Sequence, residues 1–165
     1  MSLQQEFEVL RRVPFFADAN IDPARLKLLA FLSERVNYHD GDILCRQGEA
    51  GDTAYLIIEG AVDIILEGPE GPLIVATLGA NEIVGEMSIL TGALRAATVR
   101  AKGKLVALRI AKEPFMRMVR EFPTMAVSIM QELAHRVEAN NNQLRAALSE
   151  VRKLREQAGT AANAA

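Results

Sequence analysis

With 165 residues, 50% of them hydrophobic, the chain can bury one real core but hardly two, so one domain with an extension is expected. A formal net charge of −2 provides no long-range attraction to nucleic acid or anionic membranes, and no apolar run is long enough to span a bilayer. A single cysteine, Cys45, excludes an internal disulfide, and the opening MSLQQEFEVL has no secretory pattern, which points to a cytoplasmic protein.

The first segment reads as a small helical entry. Val13-Pro14-Phe15-Phe16 is an apolar turn, and Asp22-Pro23 supplies a cap and a first-turn proline ahead of Leu26, Leu29, Ala30 and Leu32. From Glu34 to Ile110 the pattern changes to short strands rich in Val, Ile and Leu, broken by glycine turns about every ten residues, as in sandwiches and jelly rolls. Representative strands are 43–46, 54–58, 62–66, 73–78, 97–100 and 105–110, with Gly68-Pro69-Glu70-Gly71-Pro72 as a hairpin tip. After Ala111 the period returns to helical, with a short helix over 113–121 and a second from Pro123, where proline costs nothing. The expected division is therefore a β domain with N-terminal helices over 1–122, a long helix over 123–157, and an Ala/Gly-rich disordered tail over 158–165.

In that last helix Met130, Leu133, Val137, Asn140, Leu144, Ala147, Val151 and Leu154 recur at spacings of three and four, a heptad seam that predicts a parallel homodimer. A helix from Thr124 to Gln157 is roughly 50 Å long, whereas a compact domain of about 120 residues is roughly 35 Å across. Its far half needs a partner. Glu150 and Arg155 fall at g and following e positions, where a parallel pair would place an interchain ion pair. Asn140 sits in the seam and is followed by Asn141; pairing of Asn140 with its twin across the dimer is one account of it.

The densest chemistry lies in GEMSILTGALRAATV, residues 85–99. Gly85 lets the backbone approach a ligand, and Met87 and Ser88 open a short helical turn whose amides would face an anion. Arg95 supplies a planar fork for two phosphate oxygens. Glu86 cannot bind an anion, so a carboxylate placed here suits ribose hydroxyls instead. A ribose carrying one phosphate is the ligand class that follows. The plainer alternative is a Glu86–Arg95 ion pair closing a surface hairpin.

With the upstream glycines Gly41-Asp42, Gly48-x-x-Gly51-Asp52 and Gly60, this run resembles the phosphate-binding cassette of cyclic-nucleotide-binding domains. Such domains occur in cAMP-dependent kinase regulatory subunits and catabolite-activator-type bacterial regulators, and the resemblance covers residues 13–145. It implies a mainly β fold with flanking helices: an eight-stranded jelly-roll β-sandwich (double-stranded β-helix), short N-terminal helices and a long C-terminal dimerisation helix. Glu86 and Gly85 would then meet the ribose, and Arg95, Ala96, Met87 and Ser88 the cyclic phosphate. Cys45, Ile64, Val75 and Ala76 would face the purine, although periodicity alone makes them ordinary core residues. The same resemblance aligns Asn140 and Asn141 with positions that contact adenine, one of them from the partner subunit. Val84 and Leu94 depart from the family pattern, where Phe and Pro are common, and both changes stay apolar. Ala96 and Ala97 offer no hydroxyl to guanine, which favours cAMP over cGMP.

Other chemistry finds no support. His39 and His135 have no metal-ligand spacing, one cysteine cannot hold an iron–sulfur cluster, and Ser88 has no motif-linked base, so no metal, cofactor or catalysis is expected. The residues after Gln157 are too few for a helix-turn-helix, so direct DNA binding is not expected either. The expectation is a cAMP sensor that signals through its C-terminal helix to an unidentified effector protein. A ligand-independent dimeric scaffold, or the sensor fragment of a larger regulator or channel, are the alternatives.

Overall fold

The structure is a computed structural model that describes residues 2–13, 16–17 and 20–164. Pro14 and Phe15 of the expected apolar turn lie outside the described residues. The first helix, α1, spans Leu3–Arg12 and starts with a reciprocal cap in which Ser2 Oγ accepts from Gln5 N and the Gln5 side chain accepts from Ser2 N. The second, α2, spans Pro23–Leu32. Its start is the one that Asp22-Pro23 predicts, with the Asp22 carboxylate accepting from Ala24 N at 3.1 Å.

Six strands follow among the described residues: β1 (Glu34–Tyr38), β2 (Ile43–Cys45), β3 (Thr53–Gly68), β4 (Gly71–Leu78), β5 (Ile83–Val84) and β6 (Thr98–Ala111). All pairings are antiparallel, with β1-β6-β3-β4 as the main order, β2 added to β6 and β5 to β3. The expected count of eight is corrected by this topology. Segments 54–58 and 62–66 belong to one strand, β3, and segments 97–100 and 105–110 fall largely in β6. The β3–β6 register slips on both sides of Glu59, so the ladder passes through bulges where the sequence suggests a break.

Besides pairing with each other, the two long strands each serve two further neighbours. The first half of β3 pairs with β5 and the second with β4, while β6 pairs first with β2 and then with β1. Curling two strands in this way makes the antiparallel sheet wrap a core of Tyr55, Ile57, Val62, Val84, Val99, Leu105 and Ala107, consistent with a jelly roll.

Between β5 and β6 lies a short helix, α3 (Glu86–Thr91), and after β6 come α4 (Lys112–Glu121) and α5 (Pro123–Ala164). Residues 158–164 are helical, which corrects the expected disordered tail. The reason is local: Ala158, Ala161, Ala162 and Ala164 are the strongest helix formers, and a lone Gly159 costs only about 1 kcal/mol. By contact density the chain divides into two units, Met1–Ala126 and Val127–Ala165. Among the described residues no helix is long and apolar enough to cross a membrane.

Candidate functional site

The site grows from Gly85, which joins β5 to α3. Its φ of 83° lies in the left-handed region, where a side chain is strained. Space is equally restrictive: a Cβ on Gly85 would lie 2.7 Å from Arg95 Nη1 and 3.1 Å from the Thr53 carbonyl oxygen. The close approach expected at this glycine is thus filled by the protein's own arginine.

Arg95 is clamped through both backbone and side chain. Gly48 N donates to Arg95 O at 2.8 Å and Arg95 N donates to Glu49 O at 2.7 Å, so the turn after β2 holds the backbone. Nη1 donates to Gly85 O and to Ser88 Oγ, each at 2.9 Å, and Nη2 donates to Thr53 O at 2.9 Å and to Thr53 Oγ1 at 3.0 Å. The residue is only 6% exposed. A buried cation needs compensation from its surroundings, and here two carbonyls and two hydroxyls supply it. Gly51 completes the cradle: a Cβ there would overlap Arg95 Nε and Cζ and lie 2.6 Å from Ser88 Oγ.

Glu86, the first residue of α3, is 3% exposed, and Ser88 is buried one half-turn later with its hydroxyl donating to Gly85 O at 3.2 Å. Gly85, Glu86, Ser88 and Arg95 therefore form one cluster, whose acidic and basic members are both inside rather than on a surface hairpin. Met87 is 45% exposed and Ala96 is exposed, so of the six cassette residues these two face outward.

The candidate purine residues separate. Cys45 and Ile64 pack in the core cluster of the roll. Burial pushes the Cys45 thiol above its ordinary pKa, against a smaller opposite pull from the Arg95 charge, so it stays a neutral apolar group. Val75 is half-buried and Ala76 exposed on β4, where Ala76 pairs with Ile64, and a register slip leaves Val75 without a cross-strand partner. Asn140 and Asn141 are exposed on α5, in the second unit.

Thr53 and Tyr55 are what sequence reasoning missed. Thr53 Oγ1 accepts from Arg95, and Tyr55 Oη, at 3.5 Å from Thr53 Oγ1, donates onward to Leu44 O at 3.2 Å. The one signal for them is their place directly after Gly51-Asp52, and it names no partner 42 residues away. Among the described residues no group of three or more His, Cys, Asp or Glu could hold a metal ion.

Comparison with known proteins adds a family. The model of the family described as the cyclic nucleotide-binding domain matches residues 35–122. The chain is 33% identical over 113 residues to a cAMP-dependent protein kinase regulatory subunit of Blastocladiella emersonii, covering 67% of this chain and 27% of that protein. Among solved structures, a cyclic nucleotide-binding-like protein from Brucella abortus superposes with a TM-score of 0.60 at 30% identity, covering 70% of this chain and 98% of that one. The regulatory domain of Toxoplasma gondii PKA, crystallised with cAMP, superposes with a TM-score of 0.70 at 23% identity, covering 79% of this chain and 49% of that one. The curated relatives are much longer proteins, of which the chain spans between 8% and 32%.

Proposed function

The chain belongs to the cyclic nucleotide-binding domain family, and on that premise we propose that it is a sensor module for cAMP that passes its bound state to a partner protein. The observation that carries this reading is the buried Arg95, cradled by Gly51, Thr53, Gly85 and Ser88 next to the buried Glu86. A second-messenger phosphate offers the anion that such a guanidinium suits, and its ribose offers the free 2′-hydroxyl to the carboxylate. In this reading Arg95 and the backbone amides of Met87, Ser88 and Ala96 meet the cyclic phosphate, Glu86 and Gly85 the ribose, and Cys45, Ile64, Val75 and Ala76 the purine. Ala96 and Ala97 favour adenine over guanine, since neither side chain has a hydroxyl for the guanine amino group.

Glu86→Ala is expected to weaken cAMP binding by ~1–3 kcal/mol through lost ribose hydrogen bonds. Calorimetry with 2′-deoxy-cAMP isolates the contact, because the same substitution then has little left to remove. An equal loss with both nucleotides would take Glu86 off the ribose.

For output, the reading uses α5. Val137, Leu144, Val151 and Leu154 are exposed along one heptad seam, with Leu144 at 58%. Exposed apolar groups at that period favour a second copy of the helix, with Asn140 and Asn141 in or beside its seam. Ligand-dependent packing of the two helices is then the route to the effector. Leu144→Lys removes about 2 kcal/mol of burial per helix and is expected to shift the protein to monomer in sedimentation velocity. An unchanged mass would remove α5 as the dimer element.

A further inference from the structure

Arg95 carries five N–H donors, and both on Nη1 and both on Nη2 are already given to Gly85 O, Ser88 Oγ, Thr53 O and Thr53 Oγ1. A guanidinium holds an anion at two points either side-on, through Nε and one Nη, or end-on, through both Nη. Either mode takes at least one Nη hydrogen from a protein acceptor. The two carbonyls are costly to strip, because a buried carbonyl without its donor is left unsatisfied. The two hydroxyls differ from each other. Thr53 is β-branched and sits on β3, and among the described residues its hydroxyl has, beside Arg95, a single long contact of 3.5 Å to Tyr55 Oη, so it is stiff and poorly compensated. Ser88 Oγ already donates to Gly85 O at 3.2 Å, and a single χ1 rotation takes it off Nη1.

Resting on the reading above, we propose that the Ser88 hydroxyl is an internal competitor of the ligand phosphate for Arg95, and that this contact sets how tightly the site binds. Ser88 holds the place of one phosphate oxygen on Nη1 until the ligand arrives. The ligand replaces one hydrogen bond to Arg95 instead of simply adding one, so its net gain is reduced. Thr53, by contrast, holds the guanidinium in either state.

Titration of cAMP into the full chain by calorimetry tests this with Ser88→Ala and Thr53→Val beside the parent protein. Ser88→Ala is expected to bind cAMP roughly tenfold more tightly, the effect of one hydrogen bond that no longer has to be exchanged, while Thr53→Val does not bind more tightly. A Ser88 with only a structural role would show the reverse, with melting temperature and affinity falling together. If Ser88→Ala folds poorly, Ser88→Cys keeps a side chain of similar shape with a weak acceptor and is expected to shift affinity in the same direction. Unchanged or weaker binding by the Ser88 variants, or tightening by Thr53→Val instead, overturns the proposal. When Arg95→Ala abolishes binding yet Ser88→Ala leaves it unchanged, the sensor reading stands and the competitor falls. Binding by neither the parent nor Ser88→Ala overturns both.

Discussion

Arg95→Ala is expected to weaken cAMP binding by ~2–5 kcal/mol, the range seen when one partner of a buried charge pair is truncated. On a calorimeter that is a loss of roughly thirtyfold to several thousandfold. Two effects add in the same direction. The phosphate loses its cationic partner, and Thr53 O, Gly85 O and Ser88 Oγ lose donors inside a site where Arg95 itself is 6% exposed. Arg95→Lys should recover only part of the loss, because an ammonium is a point charge with three donors and cannot span Thr53 and Gly85 as the planar fork does. A Lys variant that binds as the parent does would mean that charge alone matters, and that the cradle is incidental.

Gly51→Ala is expected to reach a similar size, ~2–5 kcal/mol of lost affinity, without removing any group that touches the ligand. The added methyl would overlap Arg95 Nε and Cζ and crowd Ser88 Oγ, while the local backbone is not in the left-handed region, so the substitution acts through space alone. Arg95 is tied by four hydrogen bonds and cannot tilt away without breaking several of them. Gly51→Ala and Arg95→Ala should therefore be strongly non-additive, the double variant binding no worse than the weaker single. Additive losses would place Gly51's contribution somewhere other than the arginine. Circular dichroism melts separate displacement of the side chain from unfolding of the roll.

How much of this was readable from residue order depends on the distance over which each feature is decided. The cap at Asp22-Pro23 and the starts of α4 and α5 are local, and the structure places them within a residue or so of the expected positions. The cluster of Gly85, Glu86, Ser88 and Arg95 was legible because its members lie within eleven residues and belong to types with few other uses together. The two-residue β5 is too short to show a period and was not foreseen. Bulges near Glu59 were equally hidden, since a glycine at 60 reads as a turn until the β6 register is known. Thr53 could not be assigned to Arg95 at all, because the hydrogen bond between them is made by the closing of the roll. For the same reason Gly51 read as a simple turn residue, when its missing side chain is the space the guanidinium occupies.

The measurement that bears most directly on the central claim is a calorimetric titration of nucleotide-stripped protein with cAMP and then with cGMP, repeated on Arg95→Ala. The account predicts saturable binding of one cAMP per chain, tighter than cGMP and largely lost in the variant. No heat and no thermal shift with either nucleotide would contradict it and leave a scaffold that keeps the family's fold without its ligand.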